Sequence, residues 1–323
     1  MNRRDFLAGT AAAPLLLGLA PAAFARRFGG TPLALVTADT EAHIAAVELT
    51  TGRVSREIPT VAGPRSIESV SGATAVVAHT TEGAVSLVDA ASLKVRRVLR
   101  EFSQPRYTAA GPTGRYAYVT DSAREDVVVV DVLHGRVVHR TKLGGPARHV
   151  SIAPNGRTLW ISLGSKAERV AIVDVSEPVR PRLVRTIVPP FLAHDVGFAP
   201  GGRRVWMTSG DRGRLAVYET RTGRRLFELA ADAPPQHVTF TSRLALVTSG
   251  EDGTLRVHRL GDGRLLRTTT IPAGSYNVQE GFGRILTPSL DVGTLCVLDA
   301  RGLLIERMQV AASSHDACFV MGV

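Results

Sequence analysis

The 323 residues of this chain are expected to form an all-β, seven-bladed β-propeller of four-stranded blades. Three observations carry that expectation. One phrase, Pro-x-x-His-Val-x-Ile-x-Pro-x-Gly-Arg-x-Leu-Trp-Ile-Ser at 146–162, returns in recognisable form at 193–209. Copies open at Ile67, Tyr107, His149, Asp195, His237, Asn277 and Asp316, spaced by 40, 42, 46, 42, 40 and 39 residues, and a period near forty with four short strands per unit marks a propeller. The last copy is broken between the two ends of the chain.

Each copy reads as four strands in order. In the copy opening at His149, an inner strand covers 150–153 and the turn Pro154-Asn-Gly-Arg follows. A second strand then covers 158–162, a third 170–175, and a fourth ends near Ile187. All four are short, rich in Val, Ile, Leu and Thr, and bounded by turn residues. Thr51-Gly-Arg, His134-Gly-Arg, Thr222-Gly-Arg and Asp262-Gly-Arg join third to fourth strands. Glycine suits those hairpins because they need positive φ.

The ends complete each other. Residues 32–63 supply strands at 33–37, at 43–49 and near Ile58, with no inner strand before them, whereas 314–323 is an inner strand with nothing after it. Pairing the C-terminal strand with the N-terminal blade hides both sheet edges and gives one propeller domain over 32–323.

Ahead of it, Arg3 and Arg4 precede Asp5-Phe-Leu, an apolar stretch at 7–20 and the small-x-small site Ala23-Phe-Ala25. This predicts a twin-arginine (Tat-type) signal peptide over 1–25 and a short linker over 26–31. The apolar stretch is short for a bilayer, so the expected location is periplasmic or extracellular. Cys296 and Cys318 fall on a third and an inner strand of neighbouring blades. They read as two buried thiols rather than a disulfide.

The formal net charge is +10, and Lys94, Lys142 and Lys166 are the only lysines. Strands alternating in direction put Arg53, Arg115, Arg136, Arg157, Arg203, Arg204, Arg224, Arg225 and Arg264 in turns on one face. Acidic residues such as Asp39, Glu82, Asp121, Asp211 and Glu251 fall on the other. An arginine-rich face suits a polyanion, be it a membrane surface, a cell-wall polymer or nucleic acid; it is equally the pattern of solvated turns.

The blade entries converge on the mouth of the central channel. The candidate ligand-binding residues there are Arg65, Arg106, Arg148, His149, His194, Asp195, His237, Asn277, His315 and Asp316, with Tyr107, Gln236 and Tyr276 in the same register. Four of the nine histidines share this register. Imidazoles with carboxylates and guanidiniums can polarise a carbonyl or bind an anion. No metal is assigned, because imidazoles on different blades are expected to stand too far apart. The competing account is that polar entry residues hydrogen-bond the blade loops.

No His-Glu-x-x-His, Gly-x-Ser-x-Gly, phosphate loop, dinucleotide fingerprint or Cys-x-x-Cys-His is present. The 146–162 phrase and Gly114-Arg-Tyr-Ala-Tyr-Val-Thr-Asp resemble the repeats of the YVTN family of β-propellers, from about residue 32 to the end. That resemblance implies the fold and a broad range of functions. The wider group includes exported binding propellers, a DNA-binding periplasmic member, lactonase-like hydrolases, quinoprotein dehydrogenase subunits and the haem d1 domain of nitrite reductases. His194-Asp195 and His315-Asp316 are similar to histidine entries of that haem domain.

The expected function is therefore an exported, monomeric binding or interaction propeller that takes a small molecule, peptide or protein at its channel mouth. The alternative is a hydrolytic or cofactor-dependent enzyme, lactonase-like or haem d1-like, using the same His/Asp ring. The cofactor stays unnamed.

Overall fold

The middle strands of each repeat are nearly continuous runs of small and β-branched apolar residues. Thr74–His79 and Asp126–Asp131 are examples, and both faces of them are buried. A strand that is apolar on both faces needs cover on both. The computed structural model, which describes residues 30–231 and 233–322, supplies that cover by setting each sheet between two neighbours in a ring. The expected signal peptide and most of the linker lie outside the described residues.

Among the described residues there are 28 strands, grouped into seven antiparallel sheets of four, and no helix. Each sheet runs from an inner strand at the channel to an outer strand at the rim. Outer strands such as Arg53–Pro59 and Arg182–Ile187 are largely exposed and carry the charged residues. The pairing of third with fourth strand shifts register in all seven blades. Such a bulge bends and twists the edge strand, which blunts it against pairing with another chain.

The ring closes as expected. Ala317–Gly322 pairs antiparallel with Thr31–Ala38, from Thr31 opposite Gly322 to Val36 opposite Ala317. Apolar side chains from both termini share one core: Leu33, Leu35, Cys318 and Val320 pack with Ile67, Ala75 and Val77 of the next blade.

Two details differ from expectation. Ile67 pairs with Val77 as Val196 pairs with Met207 and Thr108 with Val119. The first full blade is thus in register at Ser66, and Ile67 belongs to the core. The glycine rule for the third-to-fourth hairpin holds at Gly135 (φ 61°), but in the second blade Leu93 takes the same left-handed conformation (φ 51°). Packing of its side chain against the core beneath offsets the backbone cost.

Cys296 and Cys318 are free and buried, in different apolar clusters. Of the arginine turns, those holding Arg157, Arg203 and Arg204 line one groove, together with Arg185, Arg221, Asp174 and Glu219. On the opposite face the acidic residues are less available than their positions suggest. Asp121 accepts hydrogen bonds from the backbone of Ser103 and Gln104, and Asp39 is paired with Arg65 at 2.8 Å.

Candidate functional site

Inner strands stand side by side around the channel, so the residues opening them form two stacked layers. The outer layer at the mouth holds Arg65, Arg106, Arg148 and His194, then Gln236, Tyr276 and His315. The layer beneath holds Ser66, Tyr107, His149 and Asp195, then His237, Asn277 and Asp316. All ten sequence-predicted residues fall in these layers. Their roles separate.

Asp195 and Asp316 both carry bonds of the scaffold. Asp195 accepts the backbone N–H of Val196 (2.8 Å) on Oδ1 and that of Val238 in the next blade (3.2 Å) on Oδ2. Asp316 does the same with Ala317 (2.9 Å) and Ile67 (3.0 Å). These carboxylates tie one inner strand to the next, and both also line the inner channel. Their neighbours in the second strands do similar work: Thr120 Oγ1 donates to the Arg148 carbonyl (2.6 Å) and Thr208 Oγ1 to the Gln236 carbonyl (2.7 Å). Threonine recurs at this point of the repeat, a pattern in the sequence that marks this seam.

The aromatic side chains meet on the axis. The Tyr107 ring centroid lies 4.1 Å from that of His149, and His149 lies 4.3 Å from His194 and 4.8 Å from His237. This cluster separates the mouth, about 230 Å³ of free space, from an inner channel of about 220 Å³. The expectation that imidazoles on different blades stand too far apart to share an ion is corrected here. One ring nitrogen from each of His149, His194 and His237 falls within 4.8 Å of the others. Inner strands are the elements closest to the propeller axis, so residues some forty positions apart become lateral neighbours.

Burial sets the charge state of the cluster. It lowers His194 to about 3 and holds His149 and His315 well below the usual imidazole range, with neighbouring imidazoles or arginines adding to the effect. These rings are therefore neutral at pH 7. In His194 and His315, Nδ1–H donates to the carbonyls of Ser165 and Arg65, each at 2.9 Å, leaving Nε2 as the lone pair. Tyr107 is pushed up to about 12 by burial and stays a phenol.

The rim is cationic. Arg65 is occupied by Asp39, whose carboxyl burial pushes up to about 6. Arg106 and Arg148 have no carboxylate partner among the described residues, and the Nε of each is buried without an acceptor. Desolvation, followed by the charge of Arg148, lowers Arg106 below the usual guanidinium value.

No family profile matches the chain, and no curated protein matches it by sequence. Solved structures do resemble it. Kuenenia stuttgartiensis hydrazine synthase shares 17% identity over 79% of this chain and 89% of that one, with a TM-score of 0.66. The dihydro-haem d1 dehydrogenase NirN shares 17% identity over 86% of this chain and 63% of that one, at 0.64. A functionally unknown protein from Desulfotomaculum acetoxidans shares 12% identity over 90% and 99%, at 0.77. This chain is a seven-bladed β-propeller. At such identities the likeness extends to the fold alone, and propellers host unrelated functions.

Proposed function

We propose that the protein is an exported binding propeller that takes a small anionic ligand at the arginine-rimmed mouth of its channel. One observation carries the reading: Arg106 and Arg148 stand close together with buried, unsatisfied Nε atoms and no counter-charge among the described residues. Holding like charges at a half-buried rim is unfavourable, and a carboxylate or phosphate group matches both their charge and their planar donor geometry. The neutral His149 ring and Tyr107 beneath add polar contacts without adding charge. Export is supported by the paired arginines and apolar stretch at the N-terminus, and by the resemblance of the repeats to the YVTN group, which includes exported binding propellers.

The mouth, at about 230 Å³, is below the roughly 300–1,000 Å³ of pockets that enclose drug-sized ligands. It suits a small carboxylate or phosphate better than a tetrapyrrole, which favours binding over the haem d1-like alternative. A lactonase-like hydrolysis would draw on the same residues and has no separate geometric support.

Calorimetric titration of the full chain with inorganic phosphate and with citrate, at low ionic strength, tests this. Saturable binding that weakens with added salt is expected. Arg148→Gln should lower affinity about tenfold or more, the equivalent of a charge-assisted hydrogen bond at ~1.5–3 kcal/mol. Binding that is unchanged in an Arg106→Gln/Arg148→Gln variant, or no binding of either anion, overturns it.

A further inference from the structure

At the floor of the mouth, imidazoles from three successive blades meet. One ring nitrogen each of His149, His194 and His237 lies within 4.8 Å of the other two. The rings of His149 and His194 both stand edge-on to His237, at 71° and 87°, and lie 4.3 Å from each other, tilted by 40°. Each has a polar neighbour at Nδ1. The Ser165 carbonyl accepts from His194 at 2.9 Å, Asp195 Oδ2 lies 3.3 Å from His237, and Ser162 Oγ lies 3.5 Å from His149. Oriented this way, a neutral imidazole presents Nε2 as a lone pair. For His149 the result is an orphan: the side chain is 1% exposed and Nε2 has no partner.

We propose that His149, His194 and His237 bind one divalent transition-metal ion of the zinc, cobalt or copper class through their ring nitrogens, with a further coordination position open to the mouth. The donor set selects the class, since imidazole suits these ions while magnesium and calcium require oxygen ligands. Three imidazole nitrogens plus an open position is the arrangement of a reactive or exchangeable zinc site rather than a closed structural one. An ion about 2.0–2.1 Å from each nitrogen needs them roughly 3.4 Å apart. The site therefore has to contract by no more than about 1.4 Å. His194, half-buried and on the mouth side, is the ligand with room to move.

Asp195 completes the design. Its carboxylate is pinned by Val196 and Val238 and lies 3.3 Å from His237 Nδ1, the place from which an outer carboxylate orients a ligating imidazole. Against this, the rim arginines repel a dication. An anion in the open position would relieve that repulsion, so the ion and the anion of the preceding section should favour each other by equal factors. The three-histidine site does not depend on that anion.

The test uses untagged full chain, stripped on a chelating resin and kept in buffer free of phosphate and carboxylates. Its failure then leaves the anion reading untouched. Titration with zinc chloride by calorimetry, and with cobalt(II) by visible absorption, should give one ion per chain and a cobalt spectrum intense enough to exclude six-coordination. His194→Ala should weaken binding by more than about tenfold to a hundredfold, the loss caused by removing even an orienting group. His134→Ala, on the outer face, should not. No saturable binding of either ion by the wild type overturns the proposal, as does one-ion binding of unchanged affinity in His194→Ala. Should His194→Ala fail to fold, the ring nitrogen resonances of the wild type decide. Zinc must shift a ring nitrogen of each of His149, His194 and His237, and an ion that binds without shifting them overturns the assignment.

Discussion

Asp316 Oδ2 accepts the backbone N–H of Ile67 at 3.0 Å, across 249 positions of sequence. The bond spans the place where the two ends of the chain meet, and Asp195 repeats it within the ring, on Val238. Burial pushes the Asp316 carboxyl well above the usual carboxylate range. The C-terminal strand thus does more than fill a gap in the first blade. It also anchors the second.

Deleting 314–323 should remove the inner strand of the first blade together with this anchor, and leave strand edges exposed on both sides of the gap. Folding should fail or aggregation rise. A sharp thermal transition within a few degrees of the full-length value would sink the closed-ring account. Asp316→Ala alone leaves two backbone N–H groups without their acceptor and should cost on the order of 1–3 kcal/mol in urea unfolding.

His315 and His194 should behave differently when replaced by Ala. Both donate Nδ1–H to a carbonyl at 2.9 Å, but His315 is 4% exposed and His194 is half-buried at the mouth. Replacing His315 strands the Arg65 carbonyl away from water and should cost about 1–3 kcal/mol. Replacing His194 should cost under about 1 kcal/mol, because water reaches its partner. Equal losses in urea unfolding would contradict this division.

Glu68 should make stability fall as pH rises. It lines the inner channel, where burial pushes its carboxyl from 4.5 up to about 7. The folded state therefore holds the proton more tightly than the unfolded chain. That contribution is fully present below about pH 4.5 and is lost as pH climbs through about 7. Glu68→Gln should flatten this part of the profile and be the more stable protein at pH 8. A wild type that gains stability relative to Glu68→Gln between those limits would show that the sign is wrong.

Replacing Arg3 and Arg4 with lysine keeps the charge but should abolish recognition by a twin-arginine exporter, so that precursor accumulates inside the cell. Normal export with processing after Ala25 would discard the export assignment. Fractionation and N-terminal sequencing read the outcome.

The repeat period, the turn residues and the unpaired end strands were enough to determine seven blades, the strand order and the closing pair. These depend on local backbone preference and on apolar runs, which a linear sequence records directly. The ten mouth residues were also legible, because one register carries them through every repeat. What each of them does was decided only in three dimensions. Asp195 and Asp316 read from the sequence only as ligands beside a histidine, whereas in the fold they also accept backbone N–H groups of the next blade. His149, His194 and His237 look remote at intervals of more than forty residues, but their strands lie nearest the axis, where distance depends on the channel's width rather than on sequence separation. Ser66 rather than Ile67 enters the ring because pairing with Val77 fixes the register of that strand, a choice that alternation of apolar and polar residues alone does not make at this position.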